Sequence, residues 1–332
     1  MEKTSLTTQF LRAGYLVPGL ICVFTPTGAA FAQSYPNRVI RVIDAYAPGG
    51  STDFLARVLS QKMAPSLGQN MVLEARPGAG GNLGAEVAAK SAPDGYTLFI
   101  AVSTAMASSV SIYRKLGYDV IRDLAPISTV GNGLYVFVSH PSLPVNSVKE
   151  LIALAKARPG QINYASAGNG SGAHLSGELF KNLTGTDLVH VPYKGGAPSV
   201  TAVISGETEI AFMSAVSALA QIKVGKLRVL ALTSAKRTNA LPGVPTIEEA
   251  GVAGYRVVPM FALYAPAATP KEIIALLNRE IRSAVESSEV RERYASQAVD
   301  AAASTPEEVR AILVAEIAQW EKVVRQTGMR VD

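Results

Sequence analysis

The chain has 332 residues, 48% of them hydrophobic, which is enough for a sizeable core and most simply implies two domains. Its formal net charge is +5, but Lys and Arg are scattered without a basic run, and this excludes an evident nucleic-acid surface. The one cysteine, Cys22, excludes an internal disulfide and a sulfur-rich metal site.

Residues 1–32 read as a secretory leader. Lys3 and Arg12 precede an apolar stretch from Ala13 to Phe24, and Ala30-Phe31-Ala32 forms an A-x-A cleavage pattern. Pro18 and Pro26 interrupt the segment, which is shorter than the ~20 apolar residues a spanning helix needs. Gly19-Leu20-Ile21 is a poor approach to a lipoprotein cysteine. Cleavage near Ala32 would remove Cys22 and deliver a cysteine-free chain to the periplasm.

The first strand-like run, 39–46, leads into Pro48-Gly49-Gly50, and a helix begins near Ser51 or Thr52. This arrangement aims unpaired backbone N–H groups out of the carboxyl end of a strand, where a small anion can sit. Further strand-like runs fall at 71–75, 97–103, 134–139, 162–166, 187–191, 208–213, 227–233 and 257–264. Two more Gly-rich turns recur, Gly78-Ala79-Gly80-Gly81-Asn82 and Gly168-Asn169-Gly170-Ser171-Gly172. Helix-like runs lie between most of the strands. Ser147 with Glu150 reads as a capping box, as do Thr269-Pro270-Lys271-Glu272 and Thr305-Pro306-Glu307-Glu308. The last helix aligns Val309, Ile312, Leu313, Ile317, Trp320 and Val324 on one face, which assigns Trp320 to the core rather than to ligand stacking.

Alternating strands and helices indicate an α/β chain with mostly parallel sheets, whose ligands bind beyond the carboxyl ends of the strands. The segments Gly131 to Ser139 and Val257 to Tyr264 are candidate crossings between two lobes. The expected division is a leader at 1–32, lobe 1 at 33–133 plus 258–332, and lobe 2 at 134–257. Two parallel crossings would form a hinge.

Enzymatic signatures are incomplete. No Gly-rich turn completes G-x-G-x-x-G, and the first βα turn carries Ala47-Pro48-Gly49-Gly50 instead. Ser171 lacks the flanking glycines of a nucleophile elbow. His140, His174 and His190 have no metal-ligand spacing, and no cofactor is implied. His174, just inside a helix after its Gly-rich loop, either reaches a ligand or makes a structural hydrogen bond. Asp53 either caps the helix and fixes the loop or meets a ligand amine, and Arg57 is placed to pair with it. Tyr193 could cover the cleft, and Lys194 reads as a solvated charge.

These motifs together resemble the Bug proteins, the extracytoplasmic solute receptors of tripartite tricarboxylate transporters. The resemblance runs from Tyr35 to Asp332 and rests on APGGSTDFLAR (47–57), EARPGAGGNLGAE (74–86), SAPDGYTL (91–98), SAGNGSGAHLSGELF (166–180), VHVPYKGGAP (189–198), KLRVLALTSAKR (226–237), LPGVPTIEEAG (241–251) and YAPAATP (264–270). It implies an α/β, two-lobed periplasmic binding protein fold of type II with two hinge-crossing strands. One small carboxylate would sit in the cleft. The resemblance places Tyr46, Ala47, Gly49, Gly50, Thr52 and Asp53 around it from the first lobe, with Ser103 and Thr104 as further contacts. From the second lobe it implies Ser166, Gly168, Ser171, Gly172 and His174.

Two departures from the family bear on specificity. Many relatives have an aspartate after Phe212, where this chain has Met213 and then Ser214, which argues against an amino-acid ligand. A tryptophan common in the second hinge strand is replaced by Pro259-Met260-Phe261. Met213, Met260 and Phe261, if they face the pocket, favour an apolar or aromatic carboxylate over a strongly polar one. The expectation is a monomeric receptor, not an enzyme, that delivers a di-/tricarboxylate or aromatic carboxylate to the membrane subunits of a tripartite transporter. A receptor feeding a signalling protein and a periplasmic enzyme on the same fold are the alternatives.

Overall fold

The computed structural model describes residues 35–331, so the leader expected at 1–32 and its cleavage site lie outside the described residues. In chain order the strands are β1 (Ile40–Asp44), β2 (Met71–Ala75), β3 (Thr97–Val102), β4 (Leu124–Asn132), β5 (Tyr135–Ser139), β6 (Ile162–Ser166), β7 (Leu188–Pro192), β8 (Ile210–Ser214), β9 (Arg228–Leu232) and β10 (Met260–Pro266). They form two five-stranded sheets, ordered β2-β1-β3-β10-β4 and β7-β6-β8-β5-β9. The helices are α1 (Ser51–Leu67), α2 (Asn82–Ala89), α3 (Ser103–Ile112), α4 (Val148–Ala157), α5 (Gly172–Thr184), α6 (Gly196–Ser205), α7 (Ala215–Lys223), α8 (Lys271–Glu286), α9 (Ser288–Ala295) and α10 (Pro306–Thr327).

The sheets are more mixed than strand–helix alternation implies. β1, β2 and β3 pair in parallel, as do β6, β7 and β8. β10 runs antiparallel to β3 and β4, and β5 runs antiparallel to β8 and β9. The reason is topological: β5 and β10 are the strands by which the chain enters one sheet from the other. Sequence reading missed β4, whose LAPISTVGN has neither alternation nor an apolar run, although most of it is buried.

The two crossings lie side by side. The Gly133 N–H donates to the Pro259 carbonyl at 2.7 Å, the Thr233 N–H to that of Tyr135 at 3.1 Å, and the Val257 N–H to that of Thr233 at 2.9 Å. These hydrogen bonds tie the two crossing segments to each other.

Of the three capping boxes expected, one is complete, one keeps only its serine cap and one is absent. At α10 the Thr305 hydroxyl accepts from the Glu308 N–H while the Glu308 carboxylate accepts from the Thr305 N–H, a complete capping box. At α4 Ser147 accepts from the Glu150 N–H, but the Glu150 side chain takes the Asn146 N–H. At α8 the expected Thr269 cap is absent. The Thr269 hydroxyl turns back to the Pro266 carbonyl at 2.7 Å, and the helix starts at Lys271 after Pro270. Trp320 is buried, as its stripe implies, together with Val309, Leu313 and Val324, whereas Ile312 is 37% exposed at the edge of the face. In the second lobe Phe137 stacks on Phe212 with centroids 4.1 Å apart.

Candidate functional site

Both sheets turn the carboxyl ends of their parallel strands to the same cleft, so the helices that follow begin there. Its cavity has a volume of about 30 Å³. Gly50, Ser51 and Thr52 line it from the start of α1, and Val102 from just before α3. Across the cleft, Ser171 and Ala173 stand at the start of α5, Gly196 and Ser199 at the start of α6, and Ser214 and Ser217 at the start of α7. Each helix start carries backbone N–H groups without an intrahelical acceptor and the positive end of a helix dipole. Tyr46, Tyr135, Phe212 and Met213 supply the larger walls, and no charged side chain lines the cavity. The Ser217 hydroxyl is buried there without a protein partner.

The first-lobe loop is held from below. Asp53 turns inward: its Oδ2 accepts the Gly49 N–H at 3.1 Å, and its Oδ1 takes Arg57 Nε at 2.9 Å. It thus fixes the Pro-Gly-Gly loop and does not line the cavity. Asp44, at the end of β1, accepts the Tyr46 N–H at 3.0 Å and the Thr52 hydroxyl at 2.6 Å, both on Oδ1. Asp44 is 2% exposed and its Oδ2 has no partner. Burial outweighs those two hydrogen bonds and pushes its carboxyl up to about 7.

The second-lobe loop rests on two stacked histidines. His174 and His190 lie with ring centroids 3.9 Å apart. His174 Nδ1 accepts the Gly170 N–H at 3.1 Å, and His190 Nε2 lies 2.6 Å from the Ser166 hydroxyl, which in turn accepts the Gly168 N–H. Burial pushes His174 down to about 4 and His190 to about 2, so both rings are neutral at neutral pH. His174 and Ser166 therefore shape the loop.

The lobes touch directly. The Ala47 N–H donates to the Lys194 carbonyl at 3.0 Å, and the Tyr113 hydroxyl to that of Asn169 at 2.9 Å. Gly80, at φ +63°, comes so close that a Cβ there would lie 2.1 Å from the Asn169 oxygen. The Tyr46 hydroxyl donates to the Gly80 carbonyl at 2.9 Å and holds that loop in place. Gly172 is equally confined: a Cβ would lie 2.4 Å from the Tyr135 hydroxyl and 2.7 Å from Thr104 Oγ1.

Of the residues named from the sequence, Tyr46, Gly50, Thr52, Ser171, Met213 and Ser214 line the cavity. Ala47, Gly49, Gly168 and Gly172 form the loops around it. Ser103 and Thr104 are buried at the start of α3, and Ser103 sits beside the Glu316 carboxyl of α10, which burial raises to about 7. Tyr193 packs in the second lobe, its N–H on the Ser166 carbonyl. Met260 and Phe261 are not among the lining residues, and the Phe261 ring packs over Gly133 at the crossing. Sequence reading missed Ser51, Tyr135, Gly196, Ser199 and Ser217. The signal for Gly196 was present, because Gly195-Gly196 before α6 repeats the Gly49-Gly50 turn before α1.

A family model described as "Tripartite tricarboxylate transporter family receptor" matches residues 55–329. Protein BugT of Bordetella pertussis is 41% identical over 300 residues, covering 90% of this chain and 92% of that protein. Among solved structures, R. palustris Rpa4515 with adipate superposes with a TM-score of 0.87 at 34% identity, over 89% of this chain and 99% of that one. MatC from Rhodopseudomonas palustris with bound malate gives a TM-score of 0.83 at 30% identity, over 87% of this chain and all of the other.

Proposed function

The chain belongs to the tripartite tricarboxylate transporter family of receptors, and on that premise we propose that it binds a small organic carboxylate between its lobes in the periplasm. The single observation that carries this reading is the lining: helix starts from both lobes converge on one cavity that holds no charged side chain. Backbone N–H groups and helix dipoles attract an anion at such a place without a basic residue. Adipate in Rpa4515 and malate in MatC support a dicarboxylate as the ligand class. Phe212, Met213 and Tyr135 favour an apolar chain or ring between the anionic ends over a further charged group.

A cavity of about 30 Å³ accommodates little more than water, which supports reading this arrangement as a closed form whose lobes part at the paired crossings to admit a ligand. Closure then brings the second set of helix starts onto the ligand. The closed form is the shape that transporter membrane subunits would read, and the ligand leaves chemically unchanged. The test is a thermal-shift screen of the purified protein against dicarboxylates, tricarboxylates, aromatic carboxylates and acidic amino acids. A ligand at about 100 times its dissociation constant adds about 2.7 kcal/mol of stability. A selective shift by a dicarboxylate or aromatic carboxylate, with the compound recovered intact, is the expected result. A shift confined to amino acids would contradict the assigned ligand class, and conversion of the compound would contradict a receptor.

A further inference from the structure

We propose that this protein takes up its carboxylate together with one proton, and that Asp44 is the group that receives the proton. The inference rests on the reading of the cleft as a carboxylate site. Asp44 stands at the last position of β1, directly beneath the loop that offers Gly50, Ser51 and Thr52 to the cavity. It is 2% exposed, and one carboxylate oxygen has no partner at all. The other oxygen takes the Thr52 hydroxyl hydrogen at 2.6 Å. With Asp44 ionised, Thr52 spends its only hydroxyl hydrogen inward and turns lone pairs to the cleft. A bound carboxylate then meets those lone pairs, with a buried negative charge one residue layer below.

Neighbouring charge relieves this conflict only slightly, because Arg57 lowers the Asp44 carboxyl far less than burial raises it. From α1, Asp53 adds to the negative potential, and Arg57 is engaged by Asp53 at 2.9 Å. At the end of β2, Glu74 is held by Arg41 and Arg76. β3 presents the apolar Ile100 and Ala101 at this level. Tyr46 offers Asp44 its backbone N–H. Protonation of Asp44 removes the charge beneath the loop, and a neutral carboxyl holds the Thr52 hydrogen less strongly, so that hydroxyl becomes a donor to the ligand. Asp44 thereby acts as a positioning residue through Thr52. Because its carboxyl is already raised to about 7, the uptake falls within the range of neutral pH. An anion placed above it raises it further, and by linkage the anion binds more tightly to the protonated form.

The experiment is calorimetric titration with adipate, malate and benzoate at pH 6 and pH 8, each in phosphate and in Tris. The heat difference between buffers at equal pH counts the protons taken up. Uptake approaching one proton at pH 8 is expected, with affinity falling by up to about tenfold per pH unit above 7. Asp44→Asn should show little uptake and similar affinity at both pH values. Glu316→Gln, which removes the raised carboxyl beside Ser103, should retain the uptake. Binding without proton uptake, or uptake that persists in Asp44→Asn, overturns the inference and leaves the receptor reading standing. Binding of none of the three overturns both. If Asp44→Asn does not fold, 13C-aspartate labelling of the wild-type protein reads the same event. One carboxyl resonance should move to the protonated position when adipate is added at pH 8, and no such movement overturns the inference.

Discussion

Replacing Asp44 with asparagine should stabilise the ligand-free protein, by an amount that depends on pH in a defined way. Burial raises this carboxyl from 3.8 to about 7. The folded state therefore holds a proton that the unfolded chain has released between those two values. Stability falls as pH rises through that window and levels off above it. At 1.36 kcal/mol per unit, a displacement of about three units costs about 4 kcal/mol above pH 7. Asparagine keeps the shape and an oxygen that accepts from Tyr46 and Thr52, but it carries no charge to bury. Urea unfolding of both proteins at several pH values between 4 and 8 measures the difference. The gain of Asp44→Asn over wild type should be near zero at pH 4, grow towards pH 7, and be constant beyond. A difference that does not change with pH would refute the assignment of the raised carboxyl to Asp44.

Gly80→Ala should abolish closure and with it the binding of any carboxylate that the wild-type protein takes up in calorimetry, because its Cβ would lie 2.1 Å from the Asn169 carbonyl oxygen. Its left-handed backbone at φ +63° adds a cost of about 1–2 kcal/mol, so the melting temperature should fall by only a few degrees. Phe137→Ala should cost about 3–5 kcal/mol in urea unfolding, since the side chain is fully buried against Phe180 and Phe212. The histidine pair gives the opposite pH dependence to Asp44. His174 and His190 are lowered to about 4 and about 2, so their contribution is full above the unfolded value of about 6.5 and is lost as pH falls below it. His190→Phe should reduce the destabilisation seen between pH 6.5 and 4, and an unchanged slope would contradict a buried neutral imidazole.

The parts of this fold that sequence reading captured are those in which a short stretch determines its own geometry. Met71–Ala75 and Ile162–Ser166 are short strand-like runs bounded by turns, and both strands fall at the expected positions. The Gly49-Gly50 turn and the Thr305 capping box are likewise local devices. β4 is set by non-local pairing with β10, and its Pro, Ser and Thr residues carry no period that declares a strand. The cavity divides in the same way. Gly50, Thr52 and Ser171 belong to recognisable turns, whereas Tyr135 reaches the site because it follows the crossing and points at Gly172. Asp44 gave no sign in the sequence. An aspartate at the end of a strand looks like an ordinary turn residue until burial and an unpartnered oxygen are seen.

That division explains how the receptor can be selective without charged contacts. Neither lobe alone completes the site: α1 and the approach to α3 come from one, and α5, α6 and α7 from the other. The direct bonds between lobes, Ala47 to Lys194, Tyr113 to Asn169 and Ser108 to Gly170, join neutral groups. Each such bond contributes roughly 0.5–1.5 kcal/mol net. A ligand that fits both sets of helix starts then decides the balance, because a shift from 1:99 to 99:1 needs about 5.5 kcal/mol of preference for one form. A ligand that reaches only one lobe has no such preference and leaves the equilibrium where it was. Lining residues that meet the ligand from both lobes therefore govern closure. Those confined to one lobe, such as Thr52 above Asp44, govern affinity and its dependence on pH.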